Sequence, residues 1–116
     1  MSAPVTNDGY GGVSTVGRLL LMQDDLIQEA DEAFCRLFGF TPHALTGIRF
    51  ESILTRASQI LYQLHFSPSL RLNGKVEEGR FTLKSGRAET VKIVVAAIAI
   101  QEGNEACYEL LICQDR

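Results

Sequence analysis

The stretch Ala30-Asp31-Glu32-Ala33-Phe34, followed by Leu37-Phe38-Gly39-Phe40 and then Leu45-Thr46-Gly47, decides how the chain is read. Asp31 is placed to cap a helix, because its carboxylate can accept a hydrogen bond from a free backbone N–H of the first turn. Behind it, Ala33, Phe34, Leu37 and Phe38 recur at helical spacing on one face. Gly39 is placed to close that helix, since the left-handed conformation of a helix end costs glycine nothing. Thr41-Pro42 predicts a further helical turn with Leu45 on its apolar side and Gly47 at its end. Phe50, Ile53 and Leu54 predict one more short helical element.

Upstream, Arg18-Leu19-Leu20-Leu21-Met22 is an apolar run stopped by Asp24-Asp25, and Leu26 to Ala30 reads as a second strand, so the two predict a hairpin. Residues 1–16 carry Gly9, Gly11 and Gly12 and little apolar periodicity, which predicts a flexible N-terminal arm. Downstream, Thr55 or Ser58 can start a longer helix whose buried stripe is expected from Ile60, Leu61 and Leu64. Pro68, without an N–H, is expected to break or redirect it, and Asn73-Gly74 to turn the chain into a strand-rich second half.

Three strands are expected there. Val76 to Lys84 alternates, with Phe81 and Leu83 opposite Glu78, Arg80, Thr82 and Lys84. Ser85-Gly86 predicts a hairpin turn. Val91 to Ile100 is apolar on both faces, as expected of a central strand covered on both sides. Gly103-Asn104 supplies the next turn and Cys107 to Cys113 the last strand. Two strands, several short helices and three strands make an α+β domain.

Bulk properties narrow the function classes. A chain of 116 residues is one domain. Its formal charge of −3 offers nothing to neutralise a run of phosphates, so nucleic acid is not an expected partner. No window approaches the roughly 20 apolar residues that cross a bilayer, and the N-terminus lacks the order of a signal peptide. A cytoplasmic location is expected. Cys35, Cys107 and Cys113 form no Cys-x-x-Cys pair and sit among apolar neighbours, which predicts core residues rather than a disulfide framework or a zinc site.

The element order and the Ala30-Asp31, Gly39-Phe40 and Leu45-Thr46-Gly47 motifs resemble the PAS family over residues 17–116. Asp31 stands where that family more often has asparagine, and both cap helices. The resemblance implies a five-stranded antiparallel sheet with short helices packed on one face around a small cavity. Tyr62-Gln63-Leu64-His65-Phe66 through Pro68, Leu70, Gly74, Val76 and Glu77-Glu78 is similar to a subgroup that serves bacterial histidine kinases, diguanylate cyclases and serine phosphatases as an input domain. Asp115 matches the Asp-Ile-Thr-like junction at which such domains pass into a signalling helix, so the chain reads as a fragment of a longer protein.

The resemblance implies a sensory domain that binds a small molecule or a partner and controls an attached output domain. The alternative is a constitutive homodimerisation module without a ligand. Polar contacts to a ligand are expected from Tyr62, His65, Arg71 and Glu77, and walls from Phe50, Leu61, Leu64, Leu72, Phe81, Ile93 and Val95. The other reading of these residues is a fully packed core. The cofactor stays open. The Asn-Cys pair of flavin-adduct photochemistry does not occur, and no residue is recognisable that would hydrogen-bond His65 and orient it as a haem ligand. Cys35, His43, His65 and Asp31 carry no catalytic signature, and neither a phosphate loop nor a metal-ligand cluster occurs, so no enzyme activity is expected of this stretch. Val94, Ile98, Ile100, Leu20 and Met22 are expected on the sheet face away from the helices, where a second copy, residues 1–16 or a downstream helix would cover them, and a homodimer is expected.

Overall fold

In the computed structural model, which describes residues 15–115, Asp31 ties two elements together. Its Oδ1 accepts the backbone N–H of Phe34 at 2.8 Å, capping helix α1 (Glu32–Phe38), and that of Arg18 at 3.0 Å on strand β1 (Val16–Leu21). Gly39 ends α1 in the left-handed region, at φ 77°. Strand β2 (Ile27–Ala30) pairs with β1 across the Asp24-Asp25 turn. Thr41 caps α2 (Pro42–Leu45), and Phe50–Ile53 forms a 3₁₀ turn. Strands β3 (Lys75–Lys84), β4 (Thr90–Glu102) and β5 (Glu105–Gln114) complete one antiparallel sheet in the order β2-β1-β5-β4-β3. The expected five-stranded α+β architecture is present. Val16 already belongs to β1, while the rest of the expected arm, apart from Thr15, lies outside the described residues.

Among the described residues all helices lie between β2 and β3 in sequence, and they pack on one face of the sheet over Leu19, Leu21, Ile93, Val95, Leu110 and Ile112, each buried. Gly17 shows how close they come: a Cβ there would stand 2.6 Å from Phe34 Cα. Only glycine lets α1 rest directly on β1.

The long helix departs from expectation. It runs through α3 (Arg56–Leu61), a π segment (Tyr62–Phe66) and α4 (Ser67–Asn73), with αR backbone at each junction. Its buried line is Ser58, Tyr62, Phe66 and Leu70, while Ile60, Leu61 and Leu64 face outward. A four-residue step over-rotates an α-helix by about 40°. The wider π turn takes that rotation back, so a line spaced by four stays on one face. The same turn accommodates Pro68. The Ser67 N–H reaches back to the Tyr62 carbonyl and the helix continues instead of breaking.

One further expectation changes. β5 is the central strand, and β4 is covered on its inner face only, with Ile98 on the other side 44% exposed. Ser85-Gly86 opens the hairpin between β3 and β4 as expected, within a loop over 85–89 that has Ala88 at φ 62°. That loop docks on the end of α1: the Gly86 N–H donates to the Phe38 carbonyl at 2.9 Å, and the Arg87 guanidinium donates to the carbonyls of Leu37 and Arg36 at 3.1 and 2.7 Å. These are carbonyls a helix C-terminus leaves unpaired.

Candidate functional site

Residues expected around one cavity divide between the interior and the surface. Phe50, Tyr62, Phe81, Ile93 and Val95 are buried. The Tyr62 ring lies 5.4 Å from those of Phe50 and Phe66 and 6.0 Å from that of Phe81. Phe66 and Phe81 meet edge to face at 5.4 Å. The four rings fill the space between the long helix and the sheet where a wall of cavity residues was expected.

Tyr62 also carries the polar end of this cluster. Its hydroxyl donates to Asp25 Oδ1 at 3.2 Å, while Ser67 donates to Oδ2 at 3.3 Å and Arg71 bridges to Oδ1 at 3.1 Å. The Arg71 guanidinium then stands 5.4 Å over the Tyr108 ring. Asp25 is buried, in the left-handed region at φ 67°, where aspartate is among the residues most tolerated. One carboxylate thus fastens the β1–β2 turn to both halves of the long helix. Sequence reading saw Asp25 only as a turn residue. The residues that hold it lie 37 to 46 positions away, and nothing local pairs them.

Burial, reinforced by the neighbouring Asp25 charge, pushes the Tyr62 phenol above its ordinary range. The fold therefore binds this proton more tightly than the unfolded chain does. Tyr62 contributes its full stabilisation below about pH 10 and progressively less above it. The advantage of the wild type over Tyr62→Phe in urea unfolding should hold steady up to about pH 9.5 and shrink between about pH 10 and pH 11.5. An advantage independent of pH over that range would show a phenol that ionises normally in the fold.

On the outer side, Leu61, His65 and Ser69 of the long helix face Val76, Glu78 and Arg80 of β3 across an open groove of about 310 Å³ floored by Phe66 and Phe81. The groove brings together three of the expected site residues, Leu61, His65 and Phe81. His65 is exposed on its rim. Leu72 is 85% exposed and lines neither place, which corrects its expected position in a cavity wall, and Leu64 likewise points outward. Arg71 belongs to the Asp25 network, and Glu77 pairs on the surface with Lys75 at 3.5 Å. Among the described residues no group of His, Cys, Asp and Glu could hold a metal ion.

Against solved structures, the chain superposes on a PAS domain from a two-component sensor histidine kinase with a TM-score of 0.74, at 10% identity, over 88% of this chain and 86% of that one. This is a PAS fold. A PAS domain from Desulfitobacterium hafniense matches with a TM-score of 0.73, at 17% identity, over 88% of this chain and 94% of the other. The PAS domain of an HTR-like protein from Haloarcula marismortui matches with a TM-score of 0.70, at 13% identity, over 88% and 83%. In sequence, the phosphoserine phosphatase RsbP of Bacillus subtilis is 25% identical over 96 residues, which is 83% of this chain and 24% of the phosphatase. The chain therefore spans about a quarter of that relative's length. No family model matches it.

Within the PAS fold, the sheet face away from the helices has its own character. Ile98 and Leu111 are each 44% exposed, Val16 and Met22 are exposed at the two ends of β1, and Ala96 and Ile100 are half-buried. Ala96, Ile98 and Leu111 share a shallow depression of about 320 Å³ with Lys75, Glu77 and Glu109. The expected outer-face residues Val94 and Ile100 are here, half-buried, and Leu20 on this side is buried. The ion pair of Arg18 with Glu109 crosses the face from β1 to β5. No helix among the described residues is long and apolar enough to cross a membrane.

Proposed function

We propose that this chain is the input domain of a larger cytoplasmic signalling protein, in which it pairs with a second copy through its outer sheet face and sets the state of an attached output domain. The observation that carries this reading is the apolar outer face of Ile98, Leu111, Val16 and Met22 on a PAS fold. Exposed apolar side chains on a sheet face seek cover, and a self-complementary face gives a two-fold dimer. The similarity to RsbP supports an output domain of the phosphatase kind, and the likeness to a sensor-kinase PAS domain supports a kinase; both are signalling outputs.

A second reading has its own observation. The groove between the long helix and β3 offers an apolar floor with His65, Ser69, Glu78 and Arg80 at its rim, the usual composition of a small-molecule site. A ligand there would act from outside the packed ring cluster. His65→Ala would weaken such a ligand and leave the fold intact.

Sedimentation of the 116-residue chain tests the dimer. The wild type should sediment as a dimer at micromolar concentration, and Ile98→Glu, a change at a half-exposed position, should give a folded monomer. A wild type that stays monomeric throughout removes the proposal.

A further inference from the structure

β3 is an edge strand: β4 pairs with it on one side, and on the other no strand among the described residues does. Thr82 shows which of its backbone groups point to that open side. Its N–H donates to Ser58 Oγ at 2.7 Å and its carbonyl accepts the Thr55 N–H at 2.9 Å, both at the start of the long helix. Opposite Thr82, Lys92 gives its carbonyl to the Asp115 N–H on the far side of β4, so Thr82 and Lys92 exchange no hydrogen bonds. Backbone direction alternates along a strand, and Arg80, two residues earlier in the same register, also turns its N–H and C=O outward. The helix does not close the edge there. Leu61, His65 and Ser69 stand across the open groove from Arg80 instead. Toward the other end, the register shift between Val76 and Gly79 interrupts the edge. One residue's donor and acceptor are left side by side at the margin of the groove.

On the reading of this groove as a small-molecule site, we propose that it takes a small, neutral, planar ring with a cis-amide edge, as in a lactam or a pyrimidinedione. A cis-amide sets an N–H beside a C=O, and so does one extended residue. The two can therefore exchange both hydrogen bonds, as a directly opposed pair of strand residues does. An added strand would need a run of such pairs, and here the edge is closed by Ser58 and Thr55 at one end and by the register shift at the other. Size agrees: about 310 Å³ is at the low end of the roughly 300–1,000 Å³ of ligand sites and suits a single ring. Phe66 and Phe81 form its apolar floor, which is closed, since a Cβ at Gly79 would already come within 2.6 Å of the Phe66 ring. Neutrality follows from the rim, where Arg80 is paired with Glu78 at 2.6 Å and with Asp115 at 2.7 Å, so neither calls for an ionic ligand.

Uracil, and 1,3-dimethyluracil, which keeps the ring and carbonyls but has no N–H, test it in a nitrogen-resolved NMR titration of the whole chain. Uracil should shift the Arg80 amide saturably and bind roughly tenfold more tightly than the dimethyl compound. Leu61→Glu, at a wall position 47% exposed, should lose roughly tenfold in uracil affinity with an unchanged melting temperature. Without ligand, the Arg80 amide should exchange with solvent about a hundredfold faster than those of Phe81 and Thr82, and uracil should slow it. Equal binding of the two compounds, no response of Arg80 to uracil, full uracil binding by Leu61→Glu, or an Arg80 amide as protected as that of Phe81 overturns the proposal. If a ring without an amide edge saturates the groove and uracil does not, the groove stands as a ligand site and the cis-amide class falls.

Discussion

Tyr62→Ala should lower the unfolding free energy by about 4 kcal/mol, the middle of the range for removing a buried aromatic side chain. The ring is fully buried and touches Phe50, Phe66 and Phe81, so its loss opens a hole that three other rings cannot close without leaving their rotamers. The hydroxyl adds a second loss, because Asp25 then keeps only Ser67 and Arg71 as side-chain partners. Tyr62→Phe isolates that part and should cost about 1 kcal/mol. Domains of this size have only about 5–15 kcal/mol to lose, so Tyr62→Ala should shift the urea midpoint far more than the phenylalanine variant. Near-equal midpoints for the two variants would mean that the ring cluster does not hold the long helix on the sheet.

Gly86→Ala should cost about 3 kcal/mol, although the residue lies in an exposed loop. A Cβ at this position would stand 1.9 Å from the Gly39 carbonyl oxygen, a backbone atom that cannot turn aside. The loop over 85–89 must lift off, and the end of α1 loses the donors that Gly86 and Arg87 bring to its last carbonyls. Arg87→Ala removes the guanidinium alone and should cost about 1 kcal/mol. Hydrogen exchange gives an independent reading, since amides near the α1 C-terminus should exchange faster in Gly86→Ala. A melting temperature equal to that of the wild type would show that the loop is not a cap.

These two sites mark where local sequence stops informing. Asp31, Gly39, Thr41 and Gly47 were legible because a cap or a helix end is set by the residue's own conformational preferences and by partners within four positions. Strand alternation in Phe81 and Leu83 was legible for the same reason, as one face of a strand repeats every second residue. Together they determined the element order and the PAS-like α+β fold.

The long helix was misread at Ile60, Leu61 and Leu64 because it is apolar on two opposite sides, and periodicity alone gives no means of choosing between them. Tertiary contact chose: Tyr62, Phe66 and Leu70 face the sheet because rings there meet Phe50 and Phe81. The same contact put Tyr62 and Phe66 in the core and left His65 and Leu61 on an outer groove. Asp25 and Gly86 found their partners only across the fold, at Arg71 and at Phe38 and Gly39. The sequence by itself determined which elements form, since caps and alternation are local. Only the tertiary structure decided which side of each element is buried, because burial is a property of the neighbour as much as of the residue.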